Sequence, residues 1–156
     1  MAVSEIIGAA VGILLLVIVA YIVVGSTLTA AETVANAQKD LTLQNEARLR
    51  TSISLNKSEI TNTTSELDFS VTNTGNEIIA DFDHMDMLTW DGVSTSGYNH
   101  NVYGSGWTID RIDNDFIHPR QLDPGEKMWV RLQYNGDKPV WLQVTTSSGV
   151  YTSAYI

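Results

Sequence analysis

IIGAAVGILLLVIVAYIVV, residues 6–24, carries no charge, no proline and no amide side chain. At about 1.5 Å of rise per residue, a helix of this length just crosses a hydrocarbon core of roughly 30 Å. No other stretch of the 156 residues is apolar for long enough to do the same. The chain therefore reads as an anchor joined to a polar body. Residues 1–25 form the expected anchor, with Ile6, Leu14, Leu15, Leu16 and Tyr21 among its apolar side chains. A cleaved signal peptide is the competing reading, with Thr29-Ala30-Ala31 as its cleavage site. It fits poorly, because no Lys or Arg precedes the run, Glu5 stands in front of it, and the run is long for such a segment. Glu5 itself suits the positive end of the helix dipole; its other reading is a partner for a neighbour's terminal amine in a filament of packed helices.

The net charge is −9 and the pI about 4.5. An acidic body of this kind repels phosphates, so nucleic acid is not an expected partner. There is no cysteine, which excludes disulfides and thiolate metal sites. Charge says almost nothing about orientation, since the first basic residue is Lys39. Two sequons, at Asn56 and Asn62, are glycosylation candidates and favour a body outside the cytoplasm.

Residues 26–50 continue without proline and are rich in helix formers. Leu28, Ala31, Ala35, Gln38, Asn45 and Leu49 fall near a heptad seam, with small and polar residues among them. Both a solitary helical stalk and a seam for a partner helix are open readings. Beyond Arg50 the hydrophobic period changes from helical to alternating. Strands are expected at 51–55, 67–72, 78–82, 85–90, 107–111, 127–134, 140–145 and 150–155, with 115–118 as a further candidate. The segments 56–65 and 94–106 read as a polar loop or edge hairpin and a glycine-rich loop. Turn chemistry separates the strands at Asn73-Thr74-Gly75-Asn76, Asp91-Gly92, Asp123-Pro124-Gly125-Glu126, Asn135-Gly136 and Ser148-Gly149. Some seven or eight short strands over residues 51–156 indicate an all-β antiparallel sandwich of immunoglobulin-like type, with a small barrel as competitor.

The sequence has no phosphate-binding loop, dinucleotide fingerprint, HExxH helix or nucleophile elbow, and an enzyme is not expected. Asp81, Asp83 and Asp86, in DFDHMD, and a second acidic cluster in DRIDNDF are hard-oxygen sets that calcium could use. Neither has calcium-loop spacing, and solvated acidic loops are the plainer account. No other cofactor is expected. Trp90, Tyr98, Tyr103 and Trp107 bracket the glycine-rich segment and are the candidate partner-binding aromatics. Of these, Trp107 is the one most expected in the core, and Tyr98 and Tyr103 the ones most expected at the surface.

The chain resembles the archaellum accessory family FlaF, with its relative FlaG close behind. The likeness lies in an apolar N-terminal helix, a polar helical stretch ending in Leu43-Gln44-Asn45-Glu46-Ala47, the segment Leu67-Asp68-Phe69-Ser70-Val71-Thr72-Asn73-Thr74-Gly75, Asp91-Gly92, Leu122-Asp123-Pro124-Gly125-Glu126, Val140-Trp141-Leu142-Gln143-Val144 and Gly149-Val150. It covers nearly the whole chain. The stretch 98–117 departs from the family pattern. The resemblance implies a non-catalytic, membrane-anchored stator or adaptor of archaeal motility. Its head would lie in the pseudoperiplasm and bind the S-layer protein. Self-association through the sandwich and a FlaG-like partner are also implied. The alternative is a subunit of a pilus-like or archaellum filament, whose apolar helix packs in a filament core instead of lipid. The absence of a basic leader ahead of residues 6–24 and the presence of Met1 favour the stator.

Overall fold

A computed structural model describes residues 2–93 and 97–156. One α-helix, α1, runs without interruption over Ala2–Arg50. Its apolar side chains are solvent-exposed on every side, with Ile6 68% and Tyr21 81% accessible. Beyond the apolar run the helix keeps its hydroxyl groups satisfied internally. Thr27, Thr29 and Thr33 each donate to the carbonyl four residues back, at 2.7, 3.1 and 2.9 Å. By contacts the chain divides into two compact units, Met1–Leu43 and Gln44–Ile156. The last turns of α1, from Gln44, thus go with the sandwich, a few residues earlier than the expected boundary at Arg50.

The second unit is a sandwich of two antiparallel sheets. The first sheet holds β1 (Ile53–Leu55), β2 (Thr61–Asn62), β3 (Glu66–Asn73), β6 (Trp107–Asp113) and β7 (Lys127–Gln133), in the order β1-β3-β7-β6. Both β1 and β2 pair with the same edge of β3, one beside Val71–Asn73 and the other beside Leu67 and Asp68. A 3-10 turn over Lys57–Glu59 separates them. It sets the Glu59 carboxylate over the gap, where the buried Ser70 hydroxyl donates to it. The second sheet runs β5 (Tyr98–Asn101), β4 (Asp86–Trp90), β8 (Trp141–Thr145), β9 (Tyr151–Tyr155).

Alternation sets which face of each strand points inward. Leu67, Phe69 and Val71 of β3 meet Met128, Val130 and Leu132 of β7, and the second sheet adds Met87, Leu142 and Val144. All are at most 2% exposed. At about 25 cal/mol per Å² of apolar surface, each contributes on the order of 1.5–3 kcal/mol before chain entropy is counted.

Three expectations change. Residues 78–82 form no strand; only Ile79 bridges to Leu122. The buried residues Ile79, Phe82 and Met85 recur every third position, and Asp81 caps a turn by accepting from the His84 amide at 3.3 Å. Residues 115–118 form a loop, which Asn114 opens at φ 64° and Arg120 closes at φ 68°. The expected loop 94–106 contains β5; its residues 94–96 lie outside the described residues.

Two turns lock the body around one residue. Asn73 is fully buried. Its Nδ2 donates to the carbonyls of Glu77 (2.8 Å) and Leu122 (2.9 Å), and its Oδ1 accepts from the Gly75 amide at 3.0 Å. Its backbone exchanges bonds with Glu126 O and Gly125 N. The next residues grip the end of α1. Thr74 and Gly75 amides donate to Ser52 O, and the Asn76 amide donates to Arg50 O at 2.8 Å. The Thr51 amide and hydroxyl both return to Ala47 O. Carbonyls that a helix end normally leaves unpaired are therefore bonded without a glycine cap. Gly75 is required by space: a Cβ there would stand 2.4 Å from Ser52 N and 2.5 Å from Arg50 O.

Asn73→Ala should lower unfolding free energy by about 1–3 kcal/mol for each buried carbonyl left unpaired. Gly75→Ala should cost about 1–3 kcal/mol through overpacking against backbone. Denaturant titration of the full chain in detergent, followed by tryptophan fluorescence, reads both; unchanged midpoints would show that the clamp does not hold the body.

Candidate interaction face

The two outer faces of the sandwich differ in chemistry. On the first sheet the exposed positions are charged. Arg131 Nε meets Asp68 at 3.0 Å, Lys127 Nζ meets Glu59 at 2.7 Å, and the Arg111 guanidinium lies 4.4 Å from the Trp129 ring centroid. Trp129 Nε1 donates to Asp113 at 2.7 Å. Donation from Lys127 and then from Ser70 holds the Glu59 carboxyl below the ordinary carboxylate range. This face is saturated with its own ion pairs.

The outer face of the second sheet is different. Register places Trp90 opposite both Tyr98 and Trp141, and Trp141 opposite Tyr155. Directly opposed residues share a face. One row, Tyr98-Trp90-Trp141-Tyr155, therefore crosses all four strands, about 14 Å at the usual strand spacing of about 4.8 Å. Tyr98 stacks on Trp90 (5.8 Å between centroids, 16° between planes) and meets Trp141 edge-on (6.1 Å, 86°). Tyr98 is 58% and Tyr155 69% exposed, and the two tryptophans are half-buried. The next row is His100, Leu88, Gln143 and Ser153. In the strands of this face the only carboxylate pointing outward is Asp86, which His100 Nε2 meets at 2.6 Å.

The four expected partner-binding aromatics thus separate. Trp90 and Tyr98 stand together on this face. Trp107 is 1% exposed and belongs to the core, and Tyr103 packs half-buried against it with centroids 4.7 Å apart. Strand β6 puts Trp107 inward opposite Leu132, with Tyr103 half-buried beside it. Trp141 and Tyr155 were missing from the expected set; alternation would have put each on an outer face, but only register shows that they continue the row.

Asp81, Asp83 and Asp86 are all exposed. Asp81 holds His84 Nδ1 at 2.8 Å, Asp86 holds His100, and among the described residues no three His, Asp or Glu groups are placed to hold a metal ion. The Asp81 carboxylate raises the His84 pKa. Of the sequon asparagines, Asn56 is exposed and its Oδ1 accepts from Ser58. Asn62 is half-buried, its Nδ2 donating to Pro139 O at 2.9 Å and its Oδ1 accepting from the Tyr134 hydroxyl at 2.7 Å. Anchor residues Ile6, Leu14, Leu15, Leu16 and Tyr21 all lie exposed on α1.

These features define a class: a long apolar helix followed by a two-sheet antiparallel sandwich with a neutral aromatic face. Among the solved structures with a similar fold are chains from archaeal motility machinery. The periplasmic archaellum stator protein FlaG from Sulfolobus acidocaldarius is similar at TM-score 0.52 and 17% identity, over 68% of this chain and 99% of that one. A chain of the FlaF–FlaG stator complex from the same organism is similar at TM-score 0.51 and 17% identity, over 67% and 87%. A chain of the archaeal flagellum of Methanospirillum hungatei strain JF1 is similar at TM-score 0.63 and 18% identity, over 95% and 90%. No family model and no curated protein matches the sequence.

Because the Glu59 pKa is depressed in the folded state, its contribution is fully present above the ordinary carboxylate pKa. It declines below that value and is gone once pH has fallen through the folded-state pKa. Unfolding midpoints of Glu59→Gln should therefore fall less on acidification than those of the parent chain; parallel pH profiles would contradict the Lys127–Glu59–Ser70 arrangement.

Proposed function

We propose that this chain is a non-catalytic, membrane-anchored stator or adaptor of an archaellum. Residues 6–24 sit in the cytoplasmic membrane as a single pass, and the sandwich lies outside it. The head contacts the S-layer protein or another envelope partner through the row Tyr98-Trp90-Trp141-Tyr155. A FlaG-like protein and further copies of this chain complete the assembly. The observation that carries this reading is that a likeness over 68% of this chain spans 99% of the stator protein FlaG, while the chain also holds a helix of membrane-spanning length. The chemistry of the face agrees: the strands of the second sheet are uncharged on their outer side apart from one Asp–His pair.

A filament subunit is the second reading. It is favoured by the flagellum chain, whose likeness covers 95% of this chain and so takes in the helix as well as the sandwich. In that case the exposed apolar side chains of α1 pack on neighbouring helices. Cell fractionation separates the two. A stator stays with membranes and is absent from sheared filaments, whereas bulk recovery in filaments rejects the stator reading. The full chain in detergent should also capture S-layer protein, and Tyr98→Ala should weaken that capture about tenfold, the loss of roughly 1.4 kcal/mol expected for an interface aromatic.

A further inference from the structure

We propose that the aromatic row on the second sheet is a saccharide-binding platform that takes a short run of neutral pyranose rings. The inference uses the same face as the reading above and gives the chemistry of what it holds. Three observations lead to it. First, the outward positions of β4, β5, β8 and β9 cover about 300 Å² at the usual strand spacing and rise. A stable protein–protein interface buries about 800 Å² on each side, so these strands alone do not supply one and a protein held here must reach beyond them, whereas an oligosaccharide fits within the face. Second, its charge is wrong for an ionic ligand. On a chain of net charge −9, these strands present outward a single carboxylate, Asp86, already paired with His100. A cationic partner finds little to bind there, and an anionic one meets an acidic protein.

Third, the side chains are of the kinds that recognise sugars. Pyranoses present C–H groups on their faces and hydroxyls around their rims. An aromatic ring, negative over its face, attracts the C–H side. Tyr98 and Tyr155 are the exposed members of the row and mark its two ends, while the half-buried Trp90 and Trp141 form its floor. Immediately beside the row, Gln143 offers a carboxamide whose oxygen accepts nothing among the described residues; one of its N–H groups goes to Thr145 Oγ1 at 3.2 Å. Ser153, exposed, follows it on β9. A hydroxyl-rich rim thus meets donors and acceptors on one side of an aromatic track. The charged face of the first sheet lacks this pairing of exposed rings with uncommitted polar groups: its Trp129 is covered by Arg111 and bonded to Asp113.

The full-length chain in detergent micelles is titrated with hexamers of N-acetylglucosamine and of mannose, and with polygalacturonate as a charged probe, reading tryptophan fluorescence and saturation-transfer NMR. At least one neutral hexamer should bind more tightly than the uronate. Tyr98→Ala and Tyr155→Ala, both at exposed positions where folding is not at stake, should each weaken it about tenfold. Phe116→Ala, on a separate exposed loop, should leave it unchanged. No binding of either hexamer, or equal binding by the tyrosine variants, overturns the inference. S-layer capture measured in parallel keeps the two readings apart. Hexamer binding without capture sustains the saccharide site and sinks the S-layer role; capture without hexamer binding does the reverse.

Discussion

The body of this protein is organised around one buried carboxamide. Asn73 ends β3, yet its side chain spans three backbone segments, those of Glu77, Leu122 and Gly75. A group like this is costly to bury alone and stabilising only when all its partners are met. Here every partner is a main-chain atom, so the geometry of two turns is fixed at once. The turn after β3 is fixed against the end of α1, and the turn before β7 against β3. Leu122 in turn exchanges backbone bonds with Ile79, which ties in the irregular stretch that leads to β4.

The two carboxylates of the second turn follow the same logic. Asp123 and Glu126 are 6% and 7% exposed. Glu126 accepts from the Asp123 amide at 3.0 Å, and Asp123 accepts from the His118 amide and faces its Nδ1 at 2.9 Å. Buried carboxylates are tolerated when backbone N–H groups surround them. Gly125, at φ 86°, supplies the left-handed residue that brings its own amide to Asn73 O. The Asn-Thr-Gly and Asp-Pro-Gly-Glu motifs look in the sequence like two ordinary turns; in space they are one joint.

Much of this could be read from the residues alone, and the part that could not is informative. The alternation of Leu67, Phe69 and Val71 against polar neighbours gave β3 its buried face, and the last three strands followed the same rule. Alternation has one exception: Ser70, on the face of β3 opposite Leu67, Phe69 and Val71, is fully buried because Glu59 folds over it from the break between β1 and β2. Residues 115–118 look strand-like by composition, but a positive φ at Asn114 turns the chain out of the sheet and leaves Phe116 83% exposed. Trp90 and Tyr98 were among the four candidate aromatics, but the sequence did not pair them. That Trp141 and Tyr155 extend the pair into a row is a property of register, which depends on tertiary packing and not on local pattern.

If the helix is the tether and the sandwich the part that holds on, any load between them must pass through residues 50–52. The last helical carbonyl there is bonded to Asn76, and Ser52 receives two amides from Thr74 and Gly75. These bonds run from the helix end into the turn that Asn73 secures to both β7 and the Leu122 segment. A pull on Arg50 is therefore shared between a central strand and a second loop before any single hydrogen bond must carry it alone. Neighbouring ion pairs add little to this: Arg50 reaches Glu46 and Glu77 only at 3.5 Å with both ends solvent-exposed, a geometry worth about 0–1 kcal/mol. The resistance comes from main-chain hydrogen bonds of 2.8–3.0 Å, packed so closely that no Cβ fits at Gly75. A joint that carries load from α1 into the sandwich needs its strongest bonds at that position.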